Sequence, residues 1–364
     1  MNRYGWTCKK LGEVAIIING KNQKAVEDSN GQYPICGSGG IMGYATDYLC
    51  PENCVIVGRK GNINRPLFMT QKFWNVDTAF GIKANEVDLV PKFLFYFCQS
   101  FDFQKLNKAV TIPSLVKSDL LKIELPIPSL VCQNNIVSEL DSINESITML
   151  QQQLKDLDSL AQSLFYDMFG DTVTNPKGFP LKKICEVGTV ITGNTPSTKD
   201  SENYSSNDYC FVKPSDISKE GVADIQTSEF FISKKAYSNS RQLPKGSVLT
   251  TCIGIIGKVG ILRNTATCNQ QINAIVPNSD ISSIYLAYAI LGLRDVLEAM
   301  ANAPVVPIIN KGVFSMLQIP LPPLSLQHSF ATKMASIEES KASLKAQITE
   351  MQNLLASRMQ FWFD

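Results

Sequence analysis

The stretches LPIPSLVCQ (125–133) and IPLPPLSLQ (319–327) decide how this chain of 364 residues is organised. They are two versions of one segment, and their offset of 194 residues (319 minus 125) persists to the C-terminus. Identities along it include Pro126/Pro320, Pro128/Pro322, Leu130/Leu324, Gln133/Gln327, Ile143/Ile337, Leu160/Leu354 and Phe169/Phe363. A repeat of this kind fixes the architecture before any local structure is considered. A second match opens each half, where GWTCKKLGEVAIIING from Gly5 aligns with GFPLKKICEVGTVITG from Gly178 at an offset of 173. The offsets differ by 21 (194 minus 173), so one module is written twice, with a body 21 residues longer in the second copy.

The repeated endings have a heptad spacing. Ile136, Leu140, Ile143, Ile147, Leu150, Leu154, Leu157, Ala161, Leu164 and Met168 alternate steps of four and three, an a/d seam. The second copy places Phe330, Met334, Ile337, Lys341, Leu344, Ile348, Met351, Leu355, Arg358 and Trp362 at the same positions, interrupting the apolar pattern only at Lys341 and Arg358. No Gly or Pro falls between Gln133 and Phe169 or between Gln327 and Phe363, while prolines mark each approach. A narrow stripe of this length favours helix against helix over a helix lying on its own domain, and the nearest partner is the other copy. The expected fold is α+β: two β-rich globular bodies separated by two long helices in an intramolecular antiparallel coiled coil, with an internal pseudo-twofold repeat. The expected boundaries are 1–128, 129–170, 171–322 and 323–364. From Ile136 to Met168 the rod measures roughly 50 Å at ~1.5 Å per residue.

At about 2.4 times a typical ~150-residue domain, the length agrees with two cores. The apolar share of 44% and charged share of 18% exclude a wholly disordered chain. Net charge is +1, yet it is unevenly spread: residues 1–128 carry 15 basic and 11 acidic side chains, 171–322 carry 14 and 12, 129–170 carry 1 and 6, and 323–364 carry 4 and 4. The bodies are mildly basic and the first helix is acidic. His328 is the only histidine and no C-x-x-C occurs among the ten cysteines, so zinc spacing and the imidazole of most nucleophile triads are missing. His328 occupies the helix start, where a capping or surface role is expected. The N-terminus has no apolar leader, and the longest strongly apolar run, Phe93 to Cys98, is far below the ~20 residues that span a bilayer. A soluble, cytoplasmic protein with reduced thiols is expected, without a membrane partner.

Within the bodies, short β-like runs lead into turns: Cys54–Val57 into GRKGNINR (58–65), and Ser247–Thr251 into a glycine-rich stretch ending at Gly260. At an offset of 193, Gly61 aligns with Gly254, Arg65 with Lys258, and VDTAFGI (76–82) with NQQINAI (269–275). Such turns present backbone N–H groups and nearby cations to an anion, a phosphate backbone among them. Arg and Lys also suit guanine edges, and Asn and Gln adenine edges. Equally, each turn can be an ordinary surface hairpin or strand cap.

With WTCKKLGEV near residue 6, GSGGIMGY (37–44), VGRKGNI (57–63), CNQQIN (268–273) and the repeated approaches to the long helices, the whole chain resembles the specificity subunit of type I restriction-modification systems. The resemblance implies a non-catalytic reader of double-stranded DNA, with two target-recognition domains, each reading half of a bipartite asymmetric site. It implies paired helices that set the gap and dock two modification subunits, and two restriction subunits in the full complex. S-adenosylmethionine, ATP and Mg are expected only in those partners. Consistent with this, the chain has no N-P-P-[YF], phosphate-loop or helicase motif. If helix length is the ruler, deleting one heptad from both helices is expected to shift the gap in methylation maps.

The expected DNA contacts are Lys21, Asn22, Lys24, Ser38, Arg59, Lys60, Asn62, Arg65 and Lys72 in the first body, and Thr195, Lys199, Lys213, Lys258, Asn269, Gln270 and Gln271 in the second. Arg59 and Lys60 have no basic equivalent in Cys252–Gly254. Two other readings stay open. One is a coiled-coil scaffold that never touches DNA, and the other a stand-alone DNA-binding regulator. Neighbouring genes for a methyltransferase and a helicase-nuclease would favour the specificity subunit over the scaffold, and an isolated gene would point to the regulator.

Overall fold

The computed structural model describes residues 5–109, 111–301 and 307–363. By compactness the chain falls into two units, 1–150 with 347–364, and 151–346. Each unit therefore takes one body together with part of both long helices, Leu130–Phe169 and Leu324–Phe363, of 40 residues each.

In the first unit, strand Thr7–Lys10 pairs antiparallel with Glu124–Ile127, tying the start of the body to its end. The uniformly apolar run Cys54–Gly58 is buried along its whole length and so becomes an interior strand. It sits in a four-stranded antiparallel sheet of spatial order Ala15–Asn19, Ala79–Ala84, Cys54–Gly58, Leu67–Met69. A three-stranded sheet sets Gly40–Ala45 antiparallel and Trp74–Asn75 parallel to Tyr33–Gly37. Helix Pro91–Ser100 begins with the proline its first turn tolerates, and buries Phe93, Leu94, Tyr96 and Phe97. The C-terminal residues Leu355, Met359, Trp362 and Phe363 pack on this same core.

The second unit repeats the plan. Leu181–Lys183 pairs with Gln318–Pro320, and Gly188–Thr192, Ile272–Pro277, Val248–Thr251 and Val259–Leu262 stand in the same antiparallel order. Phe231–Ile232 lies antiparallel and Ala266–Cys268 parallel to Tyr209–Val212. The longer second body spends part of its extra length on a fifth strand, Val222–Ile225, which forms the sheet edge parallel to Val259–Leu262. Its core joins the end of the first long helix to the start of the second: Phe165 and Phe169 meet Phe330 and Tyr285 with ring centroids 4.7 to 5.7 Å apart.

The repeated glutamine has a defined task in each unit. Gln133 is fully buried; its Oε1 accepts from the Val90 amide at 2.8 Å, and its Nε2 donates to the Asp88 and Pro128 carbonyls, both at 2.9 Å. Gln327, also fully buried, accepts from the Ser282 amide at 2.8 Å and donates to the carbonyls of Asp280 (3.4 Å) and Pro322 (2.9 Å). Each side chain thus locks the start of a long helix to the loop before the body's own helix, satisfying backbone groups that water cannot reach.

All twenty seam positions are buried or half-buried, including Ala161, Met168 and Phe330, and the two polar interruptions are ion-paired across the helices. In the second unit Lys341 donates to Asp158 at 2.7 Å and to Glu338 at 2.9 Å. In the first, the Arg358 guanidinium grips the Glu139 carboxylate, which also accepts from Trp362 Nε1 at 3.1 Å. Residue 139 faces 358 and residue 158 faces 341, so one number rises as the other falls and the helices run antiparallel. Hydrogen bonding from Arg358, opposed by desolvation and helped by Trp362, holds the Glu139 carboxyl below its ordinary value of 4.5. A depressed carboxyl stabilises the fold above its unfolded pKa and loses that contribution as pH falls through the folded one. We expect the acid side of the unfolding midpoint against pH to flatten in Glu139→Gln. Lys341 has the opposite sign: burial alone lowers its pKa, but Asp158 and Glu338 outweigh it and raise it, so its contribution is lost at alkaline pH.

Candidate nucleic-acid interface

In the first body, the expected contacts gather at one end of the four-stranded sheet. Strand Ala15–Asn19 ends there at Gly20, where a Cβ would lie 1.8 Å from the Val76 carbonyl oxygen, so only glycine allows the approach. Lys21 follows, its amide donating to Asn75 and its carbonyl accepting from Trp74 Nε1 at 3.0 Å. Strand Cys54–Gly58 ends beside it: the Arg59 and Lys60 amides both donate to Thr78, and Arg59 Nη1 reaches the Asp77 carbonyl. Gly61, at φ +77°, turns the chain, and Ser38 from the hairpin tip packs against Gly58. Lys21, Arg59, Lys60, Asn62 and Arg65 are exposed and Ser38 half-buried. Lys21, Ser38, Arg59, Lys60 and Asn62 are thus brought together.

Three other first-body residues form local contacts. Asn22 and Lys24 close a small turn, the Lys24 amide donating to Asn22 Oδ1 at 2.9 Å. Lys72 lies beside the other end of the central strand, where Cys54 faces Met69, with its ammonium 4.7 Å from the Tyr48 ring centre.

The second body builds the equivalent end from different side chains. Gly193 stands 173 residues after Gly20, and a Cβ there would lie 2.2 Å from the Asn269 carbonyl oxygen. Thr195 donates to Gln270 at 2.5 Å. Asn269 is only 7% exposed and both amide atoms serve Gln271: Oδ1 accepts from the Gln271 amide, and Nδ2 donates to Gln271 Oε1 at 2.8 Å. Asn269 therefore orients a neighbour, whereas Gln270 is exposed and Gln271 half-buried.

Three lysines stand apart from this group. Lys213 lies with its ammonium 3.1 Å above the Phe230 ring centre, and Lys258 donates to the Pro214 carbonyl at 2.9 Å, both half-buried. Lys199 is exposed further along the loop that carries Thr195, its amide donating to Ser197 Oγ. Arg241 escaped the sequence reading: its amide donates to Asn194 and its Nη1 to the Thr192 carbonyl at 2.7 Å, placing an exposed guanidinium beside Thr195. No local signal marks it, since its partners are 47 and 49 residues away.

These two ends suit recognition of a polyanion and of base edges: cations, amides and hydroxyls on glycine-bearing turns held by a rigid sheet. Among the described residues no cluster of His, Cys, Asp or Glu could hold a metal ion. Burial pushes the Cys36 and Cys252 thiols up to about 11 and those of Cys54, Cys98 and Cys268 up to about 12, away from nucleophilic thiolate character. His328 is exposed, its carbonyl accepting from Thr332. No helix among the described residues is long and apolar enough to cross a membrane.

A family model described as the type I restriction modification DNA specificity domain matches residues 4–158 and again 176–351. The specificity subunit of the type I restriction enzyme HindI from Haemophilus influenzae is 27% identical over 190 residues, covering 50% of this chain and 41% of that protein. The MjaIX specificity subunit from Methanocaldococcus jannaschii is 29% identical over 192 residues, covering 52% and 44%. The match thus spans less than half the length of either relative. The crystal structure of a type I restriction-modification S subunit from M. genitalium shares the fold, with a TM-score of 0.59 at 14% identity over 99% of this chain and 96% of that one.

Proposed function

The chain belongs to the type I restriction-modification DNA specificity family, and from that membership we propose that it recognises a bipartite, asymmetric site in double-stranded DNA, each body reading one half. The long helices act as ruler and as docking surface for two modification subunits, with two restriction subunits completing the assembly. S-adenosylmethionine, ATP and Mg2+ then serve methylation and cleavage in those cytoplasmic partners, and this chain supplies recognition without catalysis.

The observation that supports this reading best is the pair of equivalent sheet ends. One backbone frame is kept in both bodies while the side chains it presents differ, as two readers of different half-sites require. Mapping methylated bases in cells that carry this gene with its partners tests it: a split asymmetric motif is expected, and a continuous symmetric one counts against the proposal.

Arg59 and Lys60 test it at residue level. A base-reading arginine removed as Arg59→Ala is expected to lose roughly 1–3 kcal/mol and relax one position of the site. A phosphate-holding lysine removed as Lys60→Ala is expected to weaken all sequences alike and to reduce the slope of log K against log salt by about 1. Titrations at several salt concentrations on altered duplexes separate the two roles.

A further inference from the structure

The turn after the central strand has one backbone in both bodies and opposite chemistry. Gly61 and Gly254 have φ of +77° and +79°. Lys60 bridges Ser114 where Ile253 bridges Ile308, and the Gly61 and Gly254 amides donate to Pro113 and Pro307 at 2.9 and 3.0 Å. The first turn displays Arg59 and Lys60. The second displays Ile255, 54% exposed, and the turn's Ile253 is bridged by Ile308, 52% exposed. Ile112 is also exposed in the first body's facing loop, so the contrast lies in the turn itself. Apolar side chains grouped within a polar recognition surface mark a contact made on binding. The position built at Gly254 for a Cβ lies 3.9 Å from Gln271 Nε2, and Asn269 holds that amide in place.

An A·T pair shows in the major groove a thymine C5-methyl group for apolar contact and an adenine N6/N7 edge for an amide. We propose that the second body's turn reads an A·T pair in this way, Ile255 covering the thymine methyl and Gln271 the adenine edge, while the first body's turn uses Arg59. The inference rests on the DNA-recognition reading above. It deepens that reading by assigning a base-pair class to one half-site.

The test uses the full chain assembled with its modification subunits. A bound site is first selected from a randomised duplex pool, and each thymine of the second half-site is then replaced by deoxyuridine, which lacks only the methyl. One such replacement is expected to weaken binding about 4-fold, the contribution of a buried methyl-sized group. The penalty is expected to vanish in Ile255→Ala, an exposed position whose change leaves the fold intact, and to persist in Arg59→Ala. Deoxyuridine tolerated at every position, a penalty that survives Ile255→Ala, or a second half-site of G·C pairs alone overturns the thymine contact. A pool that enriches no sequence overturns the DNA reading itself.

Discussion

Replacing Gln327 by leucine is expected to lower the stability of the second unit by roughly 3 kcal/mol, because leucine fills the volume but satisfies none of three buried partners. The Ser282 amide loses its acceptor, and the Asp280 and Pro322 carbonyls lose their donor. Water cannot replace the side chain easily at a site with no exposure. Gln133→Leu should act likewise on the first unit, through the Val90 amide and the Asp88 and Pro128 carbonyls. His328→Ala, one residue along at an exposed position, serves as control and should change stability by less than about 0.5 kcal/mol. Urea unfolding gives the magnitudes. Hydrogen exchange at the Val90 and Ser282 amides shows whether the loss begins at the clamp. Unchanged protection there in the leucine variants would remove the clamp from the account.

The other large effect is expected from Phe330→Ala, at roughly 3 to 5 kcal/mol, the usual range for emptying a buried aromatic site. Phe330 is fully buried, and its ring centre lies 5.6 Å from Phe165, 5.4 Å from Phe169 and 5.3 Å from Tyr288. Those neighbours come from the other long helix and from the body, so the cavity cannot close by one side chain moving. Phe361→Ala, at a position 39% exposed, should cost far less. Calorimetry on both variants decides it; similar losses at the two sites would mean that the aromatic junction does not govern this unit's stability.

Much of this architecture was legible because its signals are periodic or repeated. The heptad seam needs only the spacing of apolar residues, and the observed burial of Ile136, Leu140, Ile143, Ile147, Met334 and Ile337 follows it. Residues off the seam were harder. Phe165 and Phe169 turn into the body's core, a preference no heptad records, since it depends on what packs against the last turns of the helix. The identity of Gln133 and Gln327 was visible as a repeat. Its meaning was not, because a glutamine in a helix is ordinarily exposed and the amides that its side-chain oxygen accepts from here, Val90 and Ser282, lie 43 and 45 residues away.

Lys341 and Arg358 look alike as breaks in a seam, and only the facing helix distinguishes a lysine held between Asp158 and Glu338 from an arginine gripping Glu139. In the candidate interface, the glycine-flanked turns after buried strands were readable from residue type. Which candidates stand together was not. Lys21, Ser38 and Arg59 share one sheet end, while Lys213 and Lys258 are engaged with Phe230 and Pro214 and Asn269 serves Gln271.

By itself the sequence determined that the chain is one module written twice, that each copy ends in a long helix, and that the two bodies present different residues at equivalent turns. These are properties of order and spacing, which survive without any knowledge of contacts. The tertiary structure alone decided which glutamine, cation and aromatic side chains are spent on holding the frame and which remain exposed at the sheet ends. That division depends on groups distant in sequence meeting in space, and a buried polar atom takes its role from the partner it finds there.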